Sequence, residues 1–169
     1  MRKSIFILGL SLVLFLTFGI SVQAQTREVT ATSTTTWYAT SKILPIGEGM
    51  IYMTYEGFGV NITDKADSLF QNATARTLGA MKIEKGIYKD DQGWGVFNLQ
   101  NGDKVFFTYK MAGEAKPGGI GSGTVTFTGG TGKAAGIQGS AEAARTVLRS
   151  VVEGVGQNYV KSKIRYTLP

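Results

Sequence analysis

The chain has 169 residues, with 18 basic against 12 acidic side chains, no histidine and no cysteine. The missing histidine excludes imidazole acid–base catalysis, the Ser-His-Asp triad and nearly every zinc or copper site; the missing cysteine excludes disulfides. The net charge of +6 is dispersed, and its one cluster, Lys161, Lys163 and Arg165, alternates with Ile164, Tyr166 and Leu168 as the solvent face of a strand does. Neither a nucleic-acid partner nor a cofactor or metal is expected.

Residues 1–24 have the three parts of a signal peptide. Arg2 and Lys3 form a positive start, Ile5–Ile20 is apolar, and Val22 and Ala24 supply small residues at a cleavage site. The apolar run is shorter than the ~20 residues of a spanning helix and is interrupted by Gly9, Ser11, Thr17 and Gly19. Cleavage after Ala24 is expected, leaving a periplasmic or secreted protein with no stable membrane insertion. Residues 25–35 are polar and threonine-rich and read as a flexible lead-in.

From Trp37 onward short apolar runs of period two are punctuated by glycine, of which the chain has 23, roughly double the usual ~7%. This pattern predicts one all-β domain over 36–169, with strands at 36–44, 49–62, 73–88, 93–99, 104–112, 121–128, 140–150 and 156–168. Asn101-Gly102 marks a hairpin, Asp90–Gly93 reads as a second turn, and 64–71 reads as one helical turn capped by Asp64. Val105, Phe107, Tyr109 and Met111 share one face, as do Val125 and Phe127. Residues 49–56 are apolar on both faces, Met50 and Tyr52 on one and Ile51, Met53 and Tyr55 on the other, which predicts cover on both sides.

The stretch 72–139 carries a set of motifs: NATAR at Asn72–Arg76, NGDKV at Asn101–Val105, GTVTF at Gly123–Phe127, GGTGK at Gly129–Lys133 and GIQG at Gly136–Gly139. In these the chain resembles secreted bacterial proteins with the allene oxide cyclase-like barrel, an architecture shared with plant dirigent proteins. The resemblance implies a single closed antiparallel barrel of eight strands, often a homo-oligomer, with an apolar cavity. No functional residue of the plant enzymes matches a position here, so no catalytic residue follows from it.

Gly129–Lys133 is not a phosphate loop, because Phe127 stands where the first glycine belongs and Ala134 follows the lysine. An outer-membrane barrel is also excluded: the strands lack a consistent apolar-out alternation, and the chain ends in Leu168-Pro169 without an aromatic girdle. Candidate cavity residues are Tyr52, Glu56, Trp94, Phe107, Tyr109 and Arg145. Glu56 is either a cavity carboxylate poised for proton transfer or a rim residue beyond a bend at Gly57. Arg145 either pairs with Glu56, or holds a ligand carboxylate, or lies exposed. The aromatics line a cavity or simply pack. The expected function is binding of a small apolar or amphipathic molecule inside the barrel. The alternatives are a cyclase or isomerase using Glu56, Tyr52 or Tyr109, and a filled structural barrel without ligand.

Overall fold

The computed structural model describes residues 27–169; the signal-peptide reading lies outside them. Eight strands close into one antiparallel barrel in chain order. They are β1 (Arg27–Gly47), β2 (Met50–Thr63), β3 (Ala73–Glu84), β4 (Ile87–Asn98), β5 (Lys104–Glu114), β6 (Ile120–Gly130), β7 (Gln138–Leu148) and β8 (Val155–Leu168). A single 3-10 turn at Gly132–Ala134 is the only helical element among the described residues. No helix among them is long and apolar enough to cross a membrane.

β1 begins at Arg27, so the threonine-rich segment expected as a loose lead-in is strand instead, paired to β8 from Arg27 and to β2 from Ser33. Threonine suits a pleated surface. The inward residues here are Ala31, Ser33 and Thr35, all buried but too small or too polar to register as a hydrophobic period.

The β3–β4 boundary is a second correction. The turn falls at Lys85-Gly86, both at positive φ (49° and 82°), and Asp90–Gly93 lies inside β4. The register of β4 against β5 slips between Tyr88 and Asp91. That bulge turns both residues inward, where they are 1% and 0% exposed. Residues 64–71 form turns, not a helical cap. The Asp64 carboxylate accepts the Thr32 amide at 2.9 Å and so extends the β1–β2 ladder. The hairpin at Asn101-Gly102 stands as expected, with Gly102 at φ 86°.

The inward faces of β5 and β6 are those the alternation predicts: Val105, Phe107, Tyr109, Met111 and Phe127 are all buried. On β2 only the odd face, Ile51, Met53 and Tyr55, turns inward; Tyr52 on the other face is exposed. The second cover expected there is absent among the described residues.

One end of the barrel is plugged. Phe70, from the β2–β3 connection, is fully buried and stacks on Phe127 at 5.1 Å, with the edges of Phe97 and Tyr166 at 5.3 and 5.5 Å. Asn61 ties this plug down, donating to the Phe70 carbonyl at 2.8 Å and accepting from Thr35 Oγ1 at 2.7 Å. Ala134 and Ile137 of the β6–β7 connection complete the seal. The opposite end, formed by the β1–β2, β3–β4, β5–β6 and β7–β8 connections, is open.

Candidate functional site

The interior holds two connected spaces. A funnel of about 690 Å³ descends from the open end between apolar walls that include Ile43, Ile51, Met53, Met81, Ile83 and Val147. Below it an inner chamber of about 70 Å³ is lined by Trp37, Phe97, Phe107, Met111, Val125 and Val160, with Thr35, Thr77 and Ser162 among its polar groups. Ala39, Tyr55, Arg145 and Asn158 border both spaces and form the waist between them. The funnel lies within the ~300–1,000 Å³ of small-molecule sites. At ~30 Å³ per water, the chamber has room for about two waters or the end of a ligand.

Beside the waist sits a buried charged cluster. Arg145 Nη1 donates to Asp91 Oδ2 at 2.5 Å, and Tyr55 donates its hydroxyl proton to Asp91 Oδ1 at 2.5 Å. Because the Tyr55 proton is committed to Asp91, the 2.5 Å contact between the Tyr55 and Tyr109 oxygens requires Tyr109 to donate. The result is a directed chain, Tyr109 to Tyr55 to Asp91, with Arg145 balancing the carboxylate. The Tyr88 ring lies 5.7 Å from the guanidinium carbon. The Tyr88 hydroxyl and Arg145 Nε are buried, with no hydrogen-bond partner among the described residues.

The electrostatics follow from burial and from Asp91. Burial, then the Asp91 charge, pushes the Tyr55 phenol far above its ordinary range; the same two causes raise Tyr109, and burial raises Tyr88. Burial is the largest single influence on the Arg145 guanidinium and works against its charge, but Asp91, Tyr55 and Tyr88 together outweigh it and the net shift is upward. The cluster therefore holds one negative and one positive charge at neutral pH, with its phenols protonated.

Local sequence explains how two large side chains, Tyr55 and Tyr109, fit. Gly79 and Gly93 face each other across β3 and β4. A Cβ on Gly79 would lie 2.0 Å from the Tyr109 hydroxyl and 2.7 Å from that of Tyr55. These glycines are the space that the phenol pair occupies.

Of the six residues the sequence nominates, three meet inside and three do not. Phe107, Tyr109 and Arg145 line the chamber. Tyr52, Glu56 and Trp94 point outward: Tyr52 is 42% and Trp94 71% exposed, and Glu56 pairs across the outer surface with Arg76 Nε at 2.6 Å. The expected pairing of Arg145 with Glu56 is replaced by Arg145 with Asp91. Glu56 faces outward by simple alternation from Tyr55, with no bend at Gly57, since β2 runs on to Thr63. The residues missed are Asp91, Tyr55, Tyr88, Asn158 and Trp37. Tyr55 was legible from its shared face with Ile51 and Met53. Asp91 was masked by its turn-like neighbours.

Fold and site together define a closed eight-stranded barrel, plugged at one end, with an apolar funnel ending on a buried ion pair. Comparison with protein families, with curated proteins and with solved structures finds no match to this chain.

Proposed function

We propose that this protein binds one small apolar or amphipathic molecule in the barrel and acts after export. One observation carries the reading: the funnel is open at the end opposite the Phe70 plug and its walls are mostly apolar, with Ser41, Lys85, Lys116 and Gln157 the polar exceptions above the waist. A purely structural barrel would gain stability by filling that volume, because apolar side chains without contacts forfeit dispersion and packing energy. Closure by eight strands also accords with the allene oxide cyclase-like resemblance, though barrel shape alone does not identify that family. Of the enzyme reading's three candidate groups, only Tyr109 reaches the interior, and it supports binding equally well.

A neutral, environment-sensitive apolar dye tests the proposal. It is expected to bind the folded protein at one per chain and to quench Trp37, whose ring lines the chamber. Dye that binds only once denaturant has loosened the fold overturns the reading. Native mass spectrometry of protein from its own host supplies the independent check, a co-purifying small molecule.

A further inference from the structure

The waist distinguishes among apolar ligands. Arg145 borders both spaces; its Nη1 is committed to Asp91 and its Nε is sealed within the wall, which leaves Nη2 as the guanidinium nitrogen through which it can reach a ligand. Asn158 projects from β8 opposite Val147, one inward position along β7 from Arg145, and borders the same two spaces. Its carboxamide has no hydrogen-bond partner among the described residues, and the residue lines the open interior. Two donor groups thus border both the funnel and the chamber, where the two spaces adjoin within a largely apolar interior.

We propose that the barrel takes an apolar molecule ending in a neutral oxygen acceptor, a carbonyl above all, with that oxygen held at the waist by Arg145 Nη2 and the Asn158 amide. The inference rests on the binding reading above and specifies its ligand. A plain hydrocarbon would strip water from both donors and replace it with nothing, the costly case for a buried polar group. A carboxylate would add a second negative charge beside Asp91, which already balances Arg145 at 2.5 Å, and an uncompensated buried charge is more costly still. A cation would meet the guanidinium. A ketone, ester or lactone oxygen satisfies the donors and leaves the cluster neutral. The chamber beyond, about 70 Å³, accommodates only a short group past that oxygen, such as a methyl or ethyl, while the long apolar part lies in the funnel.

The test is displacement of the neutral dye from the purified protein by 2-decanone, decane and decanoate, repeated with Asn158→Leu. The ketone is expected to bind about tenfold more tightly than decane, the effect of one hydrogen bond to a charged donor. Asn158→Leu is expected to weaken the ketone several-fold without weakening decane, and to leave decanoate unchanged. Equal affinities of ketone and decane for the unaltered protein overturn the inference while the binding reading stands, and that comparison needs no variant to fold. A decanoate affinity that falls further than the ketone's in Asn158→Leu also overturns it. Failure of the dye itself to bind the folded state takes down the binding reading and this inference together.

Discussion

Replacing Asp91 with asparagine removes one charge and almost no volume. Asp91 is 0% exposed and accepts two hydrogen bonds, from Arg145 Nη1 and from the Tyr55 hydroxyl. Asparagine has one acceptor oxygen, so its amide must present a donor to one of those two donors. The larger penalty is electrostatic. The Arg145 side chain is 13% exposed and its guanidinium does not deprotonate, so the variant carries an unpaired buried cation. Breaking a buried pair from one side costs about 3–5 kcal/mol, against about 1 kcal/mol for an ordinary hydrogen bond. With a urea m-value of about 2 kcal/mol per molar, the unfolding midpoint should drop by about 2 M. The double variant Asp91→Asn/Arg145→Met removes both charges and should recover most of that loss, since paired removal is often close to neutral. Urea melts of the two single variants and the double complete the cycle. A midpoint for Asp91→Asn within about 0.5 M of the unaltered protein would refute the ion-pair reasoning. So would a double variant whose loss equals the sum of the singles.

Stability should also fall as pH rises above the ordinary tyrosine value of about 10, because unfolded phenols then lose protons while Tyr55, Tyr88 and Tyr109 keep theirs. Each such tyrosine contributes a slope of about 1.4 kcal/mol per pH unit, and Tyr55→Phe or Tyr109→Phe should flatten the decline seen in melts between pH 9 and 11. Ligand-induced quenching should persist in Trp94→Phe, whose indole is exposed outside the barrel, and vanish in Trp37→Phe; fluorescence titration of both variants decides it. Gly79→Ala should cost about 1–3 kcal/mol by driving a methyl into the phenol pair, and thermal melts that show no loss would contradict the packing described. Gly132→Val should destabilise the fold, since Gly132 has φ +53° and its Cβ would lie 1.9 Å from Asp103 Oδ1, whereas Lys133→Ala should leave melting unchanged because its exposed side chain makes no contact that the turn needs.

Much of the barrel was legible in the order of residues alone, and the reason is the period of two. Once Val105, Phe107, Tyr109 and Met111 are set on one face, burial against a core forces every neighbour in β5 to the other. The Asn101-Gly102 hairpin and the approximate places of eight strands follow from the same local rules. Local rules misplace the β3–β4 turn, because Asp90-Asp91-Gln92-Gly93 has turn composition for a reason that is not local. Asp91 is polar because Arg145, 54 positions later, lies against it in the closed barrel. The threonine-rich start of β1 was opaque in a related way: small inward residues earn their burial only when β8 and β2 close over them. Alternation also assigns Tyr52 and Glu56 to one face without saying which face is inside. That choice belongs to closure, which turned Tyr55 inward and left Glu56 to pair with Arg76 outside. Sequence by itself thus determined most strands, the Asn101-Gly102 turn and which residues share a face, which depend on neighbours a few residues apart. Tertiary structure alone decided which face encloses the cavity and which charges meet there, because both depend on strands that closure brings together from distant parts of the chain.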